Sequence, residues 1–143
     1  MDKRYVGKSK RLALPLAKGV SSIRIFQSKR FRKWAESQNL KDAALRNAVK
    51  EILNGLLDAD LGGGLIKKRI ALEGKGKRGG VRAVIAYRRK NRAFFIYGFA
   101  KNEKSNIDKD EMDALKELCN FYLCLDDVQI QKALDEKELY EVI

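Results

Sequence analysis

The sequence contains no histidine, so it lacks both the commonest general base near neutral pH and the commonest metal ligand. Cysteine is almost as scarce. Cys119 and Cys124 are too few for a zinc cluster or a disulfide framework, and two free thiols suit a reducing compartment, so the expected location is cytoplasmic. No apolar run approaches the length of about 18 residues that a membrane-spanning helix needs, and no membrane partner is expected. The apolar stretch from Leu12 to Ala17 is also too short for the core of a signal peptide. The only proline, Pro15, lies in residues 1–22, a basic stretch without clear period that reads as a disordered N-terminal extension separate from a domain over 23–143.

What the chain does have is apolar content and positive charge. Of its 143 residues, 45% are hydrophobic and 35% charged, enough for one globular domain with a real core. The net charge of +12 is unevenly spread: +5 over residues 1–22, +14 over 23–104 and −7 over 105–143. A basic body calls for a polyanionic partner, most often nucleic acid. The acidic end reads as a solvated helix surface.

Periodicity gives a coarse map. Ile23 to Phe26 is a first strand, and Ser28 caps a helix whose Phe31, Trp34 and Ala35 share one face. A second helix starts near Asn39 and carries the stripe Leu45, Val49, Ile52, Leu56. Gly62 to Gly64 reads as a flexible break. In the strand Leu65 to Ala71, alternation puts Leu65, Lys67 and Arg69 on one face and Ile66, Lys68 and Ile70 on the other. After a basic glycine-rich loop over 73–80 come two strands, Val81–Tyr87 and Ala93–Phe99, apolar on both faces and therefore central and antiparallel. Asp108 starts a helix with the stripe Met112, Leu115, Leu118, Cys119, Tyr122; Asp126 and Gln129 form a capping box for another; Leu139 to Val142 is an edge strand. Both cysteines are expected in the core. The order predicts an α+β domain.

The candidate chemistry lies in residues 65–92, which hold 11 Lys or Arg and one acid, Glu73. Given the right register, Lys67, Arg69 and Arg82 project from adjacent strands onto one sheet face. Lys68, Lys75, Lys77, Arg78 and Arg88 extend the basic surface that RNA would contact. Such a cluster suits phosphate: arginine offers a planar fork to a phosphodiester and stabilises charge that develops during attack on phosphorus. RNA brings its own nucleophile, the 2′-hydroxyl, so neither metal nor cofactor is required. Without histidine, proton transfer falls to Lys, Tyr, Glu or Asp, and neighbouring cations lower a lysine's pKa toward useful base strength. Tyr97 and Glu103 are the other possible acid/base groups. The glycine patterns do not complete a phosphate-binding loop or a dinucleotide fingerprint.

Three blocks together carry a family likeness: Leu61-Gly-Gly-Gly-Leu-Ile-Lys-Lys-Arg69, Gly74-Lys-Gly-Lys-Arg-Gly-Gly-Val-Arg82 and Phe94-Phe-Ile-Tyr-Gly-Phe-Ala-Lys-Asn-Glu103. Over residues 23–143 the chain resembles the RelE/HigB-like toxins of type II toxin–antitoxin systems, within the RelE/ParE superfamily. The resemblance implies a microbial-ribonuclease-like fold, two N-terminal helices packed on a twisted antiparallel sheet, with C-terminal helices here. It implies metal-independent endonucleolytic cleavage of mRNA on the translating ribosome, hence translation and growth arrest, and neutralisation by an antitoxin, often a helix-turn-helix protein. It places Arg82 at the phosphate-stabilising position, Lys67 and Arg69 at the basic positions of the preceding strand, and Lys101 at the basic residue after the last central strand; Arg78 corresponds less closely. Asn102 stands where many relatives carry Arg or His, and no C-terminal Tyr or His occupies the acid/base position. Two rival readings differ in class: a ParE-like topoisomerase inhibitor without nuclease activity, and a non-catalytic RNA- or DNA-binding module.

Overall fold

The computed structural model describes residues 23–72, 76–88, 91–101 and 106–143, with the backbone alone over 76–79. Residues 1–22, read above as an extension, lie outside it. Ten elements follow in order: β1 (Arg24–Ser28), α1 (Lys29–Ser37), α2 (Asp42–Leu53), β2 (Ala59–Gly62), β3 (Leu65–Leu72), β4 (Gly76–Arg88), β5 (Arg92–Ala100), α3 (Lys109–Leu123), α4 (Asp127–Asp135) and β6 (Leu139–Val142). The strands form one six-stranded sheet in the order β2-β3-β4-β5-β1-β6. The expected α+β class is what the chain adopts, and the doubly apolar strands β4 and β5 take the middle of the sheet.

The sheet is not wholly antiparallel. β1 runs parallel to β5, with Phe26 opposite Phe94, because α1, α2 and the β2–β5 meander intervene and form a long crossover. β6 then closes the edge antiparallel to β1, tied by a two-pronged contact of Arg24 Nε and Nη2 with Glu141, each 2.9 Å. That hydrogen-bonded carboxylate raises the Arg24 pKa above its ordinary value, against the opposing effect of burial.

Helices cover both faces. On one, α1 and α2 bury Phe31, Ala35, Leu45, Val49 and Ile52 against Ile66, Ile70, Ile85 and Phe95. On the other, α3 and α4 bury Leu115, Cys119 and Ile130 against Phe26, Val84, Phe94 and Ile96, with Phe26 stacked on Phe94 at 5.1 Å. Local capping sets the helix starts. Ser28 Oγ accepts from Phe31 N–H, and Asp108 and Asp126 each complete a capping box, with Glu111 and Gln129 respectively.

Several boundaries differ from the periodic reading. α2 begins at Asp42 rather than near Asn39, because Asn39 is held at φ 57° in the preceding turn. Leu56 falls beyond α2 and is exposed. The supposed break at Gly62–Gly64 is a hairpin: β2 pairs with β3, and all three glycines have positive φ, which side chains resist. Cys119 is buried as expected, but Cys124 is the exposed C-cap residue of α3. The acidic end is more than solvated surface, since Glu141 pairs with Arg24 and Asp127 with Arg92.

Candidate functional site

β3 and β4 pair so that Arg69 lies opposite Arg82 and Lys67 opposite Val84. Opposed residues in a sheet share a face. β4 and β5 then place Val84 opposite Tyr97 and Arg82 opposite Phe99. The result is two rows across three strands, Lys67–Val84–Tyr97 and Arg69–Arg82–Phe99, on the face that carries α3 and α4. The register thus brings Lys67, Arg69 and Arg82 together.

A bulge puts Tyr97 there. Ile85 pairs with Phe95 and Val84 with Tyr97, so Ile96 is an extra residue on β5. Strict alternation from Phe95 would aim Tyr97 at α1 and α2; the extra residue turns it onto the α3 face. Its hydroxyl donates to Glu111 Oε2 at 3.0 Å, while Glu111 Oε1 accepts the Asp108 N–H. Gly98 is then the residue facing α1, where a Cβ would lie 2.1 Å from the Trp34 ring. Glycine is required at that point because the indole rests on the strand backbone.

The cations differ in their surroundings. Arg82 is 6% exposed, and its Nη1 is buried with no hydrogen-bond partner among the described residues. One carboxylate oxygen, Asp58 Oδ2, lies 3.3 Å from Arg69 Nε and 3.9 Å from Arg82 Nε. Asp58 sits just before β2, where its N–H donates to Lys67 O. Lys67 Nζ approaches Asn106 Oδ1, just ahead of α3, at 3.5 Å. Lys101 is exposed in the turn that follows β5, two residues after Phe99.

Two of the other basic residues stand apart from this group. Lys68 lies on the opposite face, 3% exposed, with Nζ 2.6 Å from Glu51 on α2. The Lys68 ammonium, expected above among the RNA-contacting groups, is held under α2 by a carboxylate, on the face away from the Arg69–Arg82 row. Arg88 is exposed at the far end of β4, roughly 20 Å along the strand from Arg82. Its Nη2 donates to Leu123 O at the C-terminus of α3, a structural bond remote from the cluster. Lys75, Glu103 and the side chains of Lys77 and Arg78 lie outside the described residues.

Asp58 and Glu111 are the site residues that the sequence reading missed. The signal for Asp58 was an acid close before the most basic stretch of the chain. For Glu111 it was the capping box that fixes its position. Among the described residues no group of acids and cysteines is arranged to hold a metal ion, and no helix is long and apolar enough to cross a membrane.

Chemically, the arrangement offers guanidinium donors from two adjacent strands, an ammonium one row away, and a phenol–carboxylate pair beside them. A search of curated proteins returns no match. Compared with models of known protein families, residues 23–142 match the RelE toxin of the RelE/RelB toxin–antitoxin system. With the match spanning nearly the whole chain and the α+β fold agreeing with it, the chain belongs to the RelE toxin family and is the toxin half of a toxin–antitoxin pair.

Proposed function

We infer that this toxin is a metal-independent endoribonuclease that cleaves mRNA on the translating ribosome through attack of the 2′-hydroxyl. The observation that carries this reading is the facing pair Arg69 and Arg82, with Arg82 buried and one of its terminal nitrogens without a partner among the described residues. A buried guanidinium at the edge of a basic sheet face is suited to a phosphate whose charge grows during in-line attack. In this reading Arg82 stabilises the transition state. Lys67, Arg69 and Lys101 orient the phosphodiester or move protons. Tyr97, whose hydroxyl is bound to the Glu111 carboxylate, is the acid/base candidate among the described residues. The partners are mRNA, the ribosome and an antitoxin of helix-turn-helix type, and the site of action is the cytoplasm.

The test is Arg82→Ala. Expression of the parent chain should arrest growth and cleave reporter mRNA. The variant, folded by circular dichroism, should lose cleavage by about 100-fold or more, the scale for deleting one transition-state donor. If Arg82→Ala arrests growth as the parent does, the assignment is wrong. Pulse labelling separates the ParE-like alternative: a nuclease stops protein synthesis first, whereas a topoisomerase inhibitor stops DNA synthesis first.

A further inference from the structure

Arg69 and Arg82 face each other directly across β3 and β4, an arrangement in which like charges destabilise a sheet. The free protein tolerates it because Asp58 Oδ2 is shared between them, 3.3 Å from Arg69 Nε and 3.9 Å from Arg82 Nε. The sharing is incomplete. Each guanidinium has five donors, and Arg82 Nη1 is buried without a partner among the described residues. A phosphodiester would satisfy more donors of the pair, entering beside the half-exposed Arg69 side chain, because its oxygens can meet two forks at once. Asp58 itself is anchored by its backbone, through the N–H donated to Lys67 O, so its side chain can leave the arginines without unpairing the chain beside β3.

We propose that Asp58 is the resident counter-anion of the phosphate-binding face, holding Arg69 and Arg82 side by side in the free protein and giving them up to a phosphodiester when RNA binds. The proposal deepens the nuclease reading and rests on it. Asp58 is a positioning residue that competes with the substrate. It sets a threshold: a lone monovalent anion gains little by displacing it, whereas a polyanion that also meets Lys67 and Lys101 gains more.

The test uses a short 2′-O-methyl oligoribonucleotide, which binds but has no free 2′-hydroxyl to react, with fluorescence anisotropy over a salt series. Asp58→Asn should bind about five- to tenfold tighter than the parent at low salt, the scale of one removed charge at this distance with water-like screening beside the half-exposed Arg69. Its plot of log affinity against log salt should steepen by about 0.7, one additional uncovered cation on a single strand. Asp58→Asn/Arg69→Gln guards against a folding defect, because it keeps the parent's net charge. It should bind several-fold tighter than Arg69→Gln alone. If removing Asp58 leaves affinity unchanged or weakens it in both backgrounds, Asp58 merely orients the arginines and the proposal fails, while the nuclease reading stands. If Arg82→Ala binds as the parent does, the phosphate-site reading fails together with the proposal.

Discussion

Lys67 and Lys68 are consecutive on β3, yet they belong to different environments. Lys67 stands at the edge of the basic face, its ammonium near Asn106. Lys68 points the other way, beneath α2, and is held by Glu51 at 2.6 Å. A strand sends successive side chains to opposite faces, so one residue of offset exchanges solvent for core. The two faces are built for different ends. The α1/α2 face is closed by apolar packing and the Lys68–Glu51 ion pair, while the α3/α4 face is apolar only as far as Val84 and Phe99 and then gives way to cations. Charge density along the chain does not locate a binding surface until the facing of each residue is known.

The largest test of that contrast is Lys68→Ala. It removes a buried ammonium and its 2.6 Å contact with the partly exposed Glu51, and the loss should be about 2–3 kcal/mol, just below the range for a fully buried pair. Urea denaturation would show it as a lowered midpoint at unchanged slope; an unaltered midpoint would mean that Lys68 is not held in the core. Gly98→Ala probes the same closed face. Its methyl group would enter the Trp34 ring, so a loss of about 1–3 kcal/mol is expected in a thermal melt.

On the open face the signs reverse. Lys67→Ala should change stability by less than about 0.5 kcal/mol. It should lower mRNA cleavage about tenfold, equivalent to about 1.4 kcal/mol of transition-state stabilisation. A Lys67→Ala protein that unfolds readily yet cleaves normally would erase the distinction between the two faces. The smallest effect concerns the thiols. Iodoacetamide should label exposed Cys124 in the native protein and reach buried Cys119 only after denaturation. Burial raises the Cys119 pKa, favouring the neutral thiol in the fold. The associated stability is complete below the unfolded thiol's pKa and is lost as pH rises through the folded value. Cys119→Ser should therefore flatten the alkaline fall in melting temperature slightly.

Much of the architecture was legible because it is encoded over a few residues. Ser28, Asp108 and Asp126 announce helix starts through side-chain bonds three residues away. The runs Val81–Tyr87 and Ala93–Phe99 announce buried strands by being apolar on both faces. The parallel β1–β5 pairing was not legible, since it depends on the long crossover and on no local signal. Nor was β2, whose glycine-rich sequence also suits a loop.

The candidate site divides in the same way. By itself the sequence determined that the chemistry, if it is catalysis, runs without histidine, and that its cations concentrate between Leu65 and Arg92. Alternation even placed Lys68 with Ile66 and Ile70, although local basicity argued for a surface role. Only the tertiary structure decided which cations meet. The register that sets Arg69 opposite Arg82, the extra residue Ile96 that turns Tyr97 toward Glu111, and the approach of Asp58 to both arginines each join separate elements of the chain. Periodicity fixes the face on which a side chain lies; its partners are fixed by strand pairing and helix docking, which are cooperative properties of the whole fold.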